Sequence, residues 1–186
     1  MPGRSRIILG LDPGTAATGY GVVEQRGARL AAVAYGVIET PAGMQLHHRL
    51  DIIFRQVAAV LDRYRPEAAA VESLFFNVNV RTALAVGQAR GVALLACSRS
   101  GCDLFEYTPQ QVKLAVVGYG KAEKTQVQEM VRVLLSLDHT PSPDHAADAL
   151  GVAICHAHGA SMRDGVNRAL AAARRGPAGG AERTRP

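Results

Sequence analysis

The 186-residue sequence lacks the features that would tie it to a membrane or an oxidising compartment. No apolar run approaches the roughly 20 residues needed to cross a bilayer. The opening MPGRSRIILGLD lacks the long apolar stretch of a secretory signal. The expectation is a cytoplasmic protein with no membrane association. Cysteine is scarce: Cys97, Cys102 and Cys155 are odd in number and show no CxxC spacing. This argues against a disulfide framework or a zinc site and leaves three small buried apolar residues as the reading. Internal repeats are absent, which excludes a solenoid. The body also lacks a strong charge excess, although the whole chain carries +5. Residues 163–186 hold six Arg against Asp164 and Glu182, a net +4, which leaves 15 basic and 14 acidic residues elsewhere, a net +1. Any anion-binding face on the body must therefore come from local clustering.

What is present is a foldable chain, 48% hydrophobic and long enough for one full core. Residues 1–160 are expected to form one domain and 161–186 a basic, flexible tail that is Gly-, Pro- and Arg-rich from Gly176. RIILGLD at 6–12 is an apolar, β-branched run ending in an acid before Pro-Gly, as a buried strand and its turn would be. Strands at 19–25 and 30–39 follow, with Gly27 in the turn between them, giving an antiparallel meander. From 44 to 65 the period changes: Leu46, Leu50, Ile53, Phe54, Val57, Val60 and Leu61 recur at helical steps until Pro66. EAAAVE at 67–72 reads as a short strand that also ends in an acid. A helix with small residues on one side spans 79–99, and a strand spans 103–107. Thr108 caps a helix opening at Pro109. The loop GYGKAEK at 118–124 leads to a helix near 124–136. Ser142 as cap and Pro143 as first residue open a last helix over about 143–158, followed by a separate helical stretch VNRALAAARR. The order βββαβαβα predicts a mixed sheet covered by helices.

Three acids and one imidazole sit where a phosphodiester-cleaving site would need them. Asp12 and Glu72 end strands, and Asp148 lies one turn beyond His145 on the last helix. Strand ends and a covering helix can converge on one cleft. Hydrolysis of a phosphodiester needs an activated water and a stabilised leaving oxygen, which two divalent cations about 4 Å apart can provide. Three carboxylates and an imidazole suit Mg²⁺ or, as a substitute, Mn²⁺, toward which the imidazole tilts the preference. Taken singly, each acid could equally be a cap, a turn or a surface residue.

The segments LGLDPGTAATGYGVV, VESLFFNVNVRTALAVGQARGV, TPQQVKLAVVGYGKAEKTQVQEMV and DHAADALGVAICH closely resemble the RuvC family of Holliday junction resolvases, in order, over about residues 6–158. The resemblance implies an α/β, ribonuclease H-like fold, a five-stranded mixed β-sheet flanked by helices. It implies a homodimeric endonuclease that makes paired cuts in a four-way DNA junction and leaves ligatable nicks. It assigns Asp12, Glu72, His145 and Asp148 to a site holding two Mg²⁺ ions. His145 occupies a position where the family has Asp or His, which bears on metal preference and pH dependence. It implies that Phe75 wedges into the crossover, against the alternative of an ordinary core Phe. Lys113 and Lys124 match the family's phosphate contacts. Lys121 and Arg81 stand open between DNA contact and solvated charge. The family places its dimer interface on the helix bearing Ala85, Ala89 and Gly91, against the alternative that these small residues pack on the protein's own sheet, and one helix can do both on different faces. The family also works with a branch-migration helicase complex, RuvA and RuvB. Helical geometry lets either His145 or its neighbour Asp144 share a metal with Asp148; the family register selects His145 and leaves Asp144 as a helix N-terminal charge with no catalytic part. LDPGTAATGYG also resembles the first phosphate loop of actin-like ATPases and sugar kinases, but the chain holds no second such loop. A non-catalytic DNA-binding module and an RNA-directed nuclease are further alternatives. The intact acidic set opposes the first of these.

Overall fold

The computed structural model describes residues 5–73 and 80–174. Five strands form one sheet in the order β3-β2-β1-β4-β5, where β1 is Ser5–Asp12, β2 Ala17–Arg26, β3 Arg29–Glu39, β4 Ala68–Glu72 and β5 Asp103–Tyr107. The first three strands form the expected meander, turning at Gly27 with φ 62°. β4 and β5 join in parallel on the other side of β1. Helices α1 (Leu46–Tyr64), α2 (Val80–Ser100), α3 (Pro109–Val117), α4 (Lys124–Leu134) and α5 (Asp144–Arg174) cover the sheet. This is the mixed five-stranded, helix-flanked architecture the sequence predicts.

Strand alternation divides the core into two layers. Leu9, Leu11, Val22, Ala69 and Val71 pack with Ile53, Val57 and Leu61 of α1 and Ala89, Ala93 and Ala96 of α2. Ile8, Val23 and Ala70 pack with Val112 and Val116 of α3, Val127 and Val131 of α4, and Leu150 and Ile154 of α5. Gly10, Asp12 and Glu72 share the alternation of Ile8 and Ala70, so both acids belong to the face that α5 covers. Leu11 pairs with Val71 in the parallel β1–β4 ladder, which sets Asp12 and Glu72 level at adjacent strand ends.

α5 lies against the sheet without intervening side chains at its contact point. A Cβ on Gly10 would overlap the Ala149 carbonyl, and one on Gly19 the His145 carbonyl. One on Gly21, the cross-strand partner of Gly10, would meet Leu150 at 2.8 Å. Only glycine permits a backbone approach this close.

Caps set several of the helix ends. Thr108 Oγ accepts from the Gln111 N–H at 3.1 Å, and Gln111 returns a contact to the Thr108 N–H at 2.8 Å, the reciprocal box expected of a Thr cap. α1 ends where Arg65, in a left-handed conformation, donates its N–H to the Leu61 carbonyl at 2.9 Å, just before Pro66. Two expectations for α5 are corrected. It begins at Asp144, with the Pro143 carbonyl accepting from the Ala146 N–H at 2.9 Å, so Pro143 takes the half-in position expected of Ser142. It also runs on past residue 158 to Arg174 as one helix. A single Gly such as Gly159 costs a helix only about 1 kcal/mol, and the Ala-, Leu- and Arg-rich stretch beyond it favours continuation.

The small residues of α2 also need correction. Ala89 is fully buried in the protein's own core, so it cannot serve a partner helix as expected. The outward stripe is Leu84, Gly87, Gly91 and Leu95. Both leucines are more than half exposed, and nothing lies within 4 Å of where a Cβ on either glycine would stand. Cys97 and Cys155 are buried as expected and Cys102 is half-buried, and all three are free thiols.

Candidate active site

The ends of β1 and β4 and the first turns of α5 bring the predicted acids together. One ligand atom from each of Asp12, His145 and Asp148 lies within 4.8 Å of the others. His145 Nδ1 stands 2.7 Å from Asp12 Oδ2. Asp148 follows His145 by one turn on the same helix face. Glu72, the fourth predicted residue, ends the neighbouring strand β4 and shares a cleft with Asp148, but it is not one of the three whose ligand atoms lie within 4.8 Å of one another.

Its electrostatics bind Glu72 to the group. Burial first, then repulsion from Asp12 and Asp148, pushes its carboxyl up to about 7, with Lys113 and Lys124 acting the other way. Burial also raises the Asp148 carboxyl, opposed by Lys124 and reinforced by Asp12. Negative charge is thus crowded into a partly desolvated space, a condition that a divalent cation relieves.

A cleft of about 230 Å³ adjoins the cluster, lined by Glu72, Asp148, Lys113 and Lys124 with Val112 and Val127 among its apolar wall. Two of the predicted phosphate contacts therefore open onto the space beside the acids. Lys121 is exposed on the loop before α4 and does not line that cleft. Phe75 and the side chain of Arg81 lie outside the described residues.

Asp144 and His145 part company here. His145 faces Asp12, whereas Asp144 is turned to α4, with Lys124 Nζ 2.9 Å from one carboxylate oxygen and Gln128 Nε2 2.9 Å from the other. These contacts hold the Asp144 carboxyl below its ordinary range.

Arg90 of α2 was not singled out from the sequence. It is 9% exposed, donates from Nη1 to the Glu72 carbonyl oxygen at 2.6 Å and pairs through Nη2 with Glu106 of β5 at 2.7 Å. The guanidinium fork thus fixes the backbone of a site carboxylate. No signal in the sequence marks it out, since α2 carries Arg81, Arg90 and Arg99 alike.

With this geometry described, comparison with known proteins is informative. The family model described as "Crossover junction endodeoxyribonuclease RuvC" matches residues 8–156. The chain belongs to the RuvC family. A RuvC relative from Heliobacterium modesticaldum, named crossover junction endodeoxyribonuclease, is 60% identical over 152 residues, 82% of this chain and 94% of the relative. Another, from Rubrobacter xylanophilus, is 57% identical over 165 residues, 88% of this chain and 92% of the relative. Among solved structures, Thermus thermophilus RuvC in complex with Holliday junction substrate superposes with a TM-score of 0.82 at 40% identity, covering 85% of this chain and 96% of that one. The fold is accordingly the ribonuclease H-like fold of RuvC resolvases, and the chain is a member of a nuclease family, which removes the ATPase and non-catalytic readings.

Proposed function

We propose that this chain resolves four-way DNA junctions by cutting two symmetry-related strands, with Asp12, Glu72, His145 and Asp148 holding two divalent cations, Mg²⁺ with Mn²⁺ as a substitute. The observation that carries the site assignment is the convergence of Asp12, His145 and Asp148 within 4.8 Å beside a Glu72 carboxyl that resists ionisation. The donor set fits the ions: hard carboxylate oxygens suit Mg²⁺, and the imidazole also accommodates Mn²⁺. When bound, the ions would activate a water and stabilise the leaving oxygen.

The chain's own groups supply the rest. The carboxylates must be ionised and the imidazole neutral to serve as ligands. Lys113 and Lys124 border the cleft beside Glu72 and Asp148 and offer ammonium donors to a DNA phosphate. Arg90 fixes the Glu72 backbone, which would hold the Glu72 carboxylate in place for a bound cation. Phe75 is assigned to the crossover and Arg81 and Lys121 to the flanking backbone on family resemblance.

Two matched cuts need two sites, so the working unit is proposed to be a homodimer. The stripe of Leu84, Gly87, Gly91 and Leu95 supports this, since exposed leucines flank glycines that allow a second helix to approach closely. Delivery of junctions by the RuvA and RuvB helicase complex follows from the family. No helix among the described residues is long and apolar enough to cross a membrane, and a cytoplasmic location is part of the proposal.

The deciding experiment compares a synthetic four-way junction with linear duplex and structured RNA in Mg²⁺. Wild type should nick the junction symmetrically and leave the others intact. Asp12→Asn should bind the junction and not cut it, because phosphate contacts supply most of the affinity. Near wild-type cutting by that variant would remove Asp12 from the site.

A further inference from the structure

Asp144 has partners that its place at a helix start did not foretell. It is the first residue of α5, and both of its carboxylate oxygens are taken by α4: Lys124 Nζ is 2.9 Å from Oδ2, and Gln128 Nε2 donates to Oδ1 at 2.9 Å. Lys124 and Gln128 stand one turn apart, so a single carboxylate spans the first turn of α4. The same ammonium is 3.4 Å from Asp148 Oδ2. Lys124 therefore sits between two aspartates, one inside the acidic cluster and one outside it.

A lysine on a flexible stem moves to the carboxylate that attracts it most. Without Asp144, Lys124 would be left to the acids of the cluster, Asp148 in contact and Glu72 across the cleft, and would occupy an oxygen that a divalent cation needs and neutralise charge the cation requires. A second carboxylate, itself fixed by Gln128, divides that attraction. It holds the ammonium at the rim of the cleft it shares with Glu72 and Asp148.

We propose that Asp144 is a positioning residue, which with Gln128 tethers Lys124 beside the acidic cluster so that the lysine faces the DNA cleft and leaves Asp148 open to a cation. This rests on reading the cluster as a metal-dependent nuclease centre. Asp144 touches neither substrate nor cation in this scheme and acts only through Lys124.

The test is Mn²⁺ binding to the full-length protein without DNA, followed by the electron paramagnetic resonance signal of free Mn²⁺. Asp144→Asn keeps the shape and removes the charge. Its dissociation constant for Mn²⁺ should rise about three- to fivefold, the scale of an exposed ion pair. Asp144→Glu should restore much of the loss, and Gln128→Ala should shift affinity in the same direction by less. In a Lys124→Ala background, Asp144→Asn should alter the constant less than twofold, because the lysine to be positioned is gone. An equal loss with and without Lys124 would mean that Asp144 contributes only bulk negative charge, and would overturn the proposal. Unchanged affinity in Asp144→Asn alone would overturn it too. In that case wild-type Mn²⁺ binding and junction cleavage leave the nuclease reading standing. Failure of the wild type to bind Mn²⁺ would bring down both.

Discussion

Replacing Glu72 by Gln should destroy cleavage and yet make the metal-free protein more stable at neutral pH. The folded carboxyl titrates at about 7 against an ordinary value of 4.5. A raised folded pKa on an acid means that the folded state disfavours ionisation. Stability is therefore full below about pH 4, where both states are protonated, and falls as pH rises towards 7. Beyond 7 both states are ionised and the loss is constant. Taken whole, a rise from 4.5 to about 7 corresponds to about 3 kcal/mol. Glu72 is only half-buried, and screening by solvent reduces this to about 1–2 kcal/mol. The assay is urea unfolding followed by circular dichroism in EDTA. Near pH 8 the Gln variant should be more stable by that amount, and near pH 4 the two should coincide. Added Mg²⁺ should reverse the order at pH 8, since binding to the folded state stabilises by mass action and the variant has lost a ligand. A Gln variant equal to or weaker than wild type in EDTA at pH 8 would refute the view that Glu72 is held in a crowded anionic site.

Other outcomes follow from the same structure. Arg90→Met should lower cleavage about 10–100-fold, as removal of groups that orient metal ligands does. It should also cost about 1–3 kcal/mol for the unpaired Glu72 carbonyl, and Arg90→Lys should recover only part of the loss. Cleavage rates on protein checked for folding by circular dichroism decide this, and full activity in Arg90→Met would sever Arg90 from the site. Leu95→Arg should weaken the dimer in sedimentation while leaving the melting temperature nearly unchanged, whereas Ala89→Arg should unfold the chain. A dimer untouched by Leu95→Arg would place the interface elsewhere. Gly10→Ala should cost about 1–3 kcal/mol of stability through overpacking and slow cleavage at temperatures where it remains folded. A crystal structure with α5 unmoved in that variant would contradict the direct backbone contact.

The sequence revealed those parts of the molecule whose cause is local. Short apolar runs bounded by turn residues predict the strands, and acids at strand ends mark Asp12 and Glu72. The Thr108 cap was legible because its partner, Gln111, is three residues away. Contacts between distant segments were not legible. Arg90 reaches Glu72 across 18 positions, and Asp144 meets Gln128 across 16. Nothing in either neighbourhood announces the pairing. On α2, Ala89 faces the core and Gly91 faces out; Ala and Gly fit against a core or against solvent equally well, so a helix rich in them carries little periodic signal to separate the two faces. The sequence pattern divides α5 into two helical stretches around Gly159, but one glycine is too weak a breaker to end a helix of good formers.

The meeting of α5 with the sheet at Gly10 and Gly19 bears on how such an enzyme can change over time. The height of His145 and Asp148 above Asp12 is fixed by main-chain atoms in contact, not by the sizes of the apolar side chains elsewhere in that layer. Val112, Val116 and Val131 can therefore exchange for other apolar residues, and the layer can be retuned for a hotter or colder setting, with little effect on the spacing of the reactive groups. The glycines have no such freedom. A lineage can drift in the oily interior while holding its cutting geometry constant, provided that these strand positions never acquire a side chain.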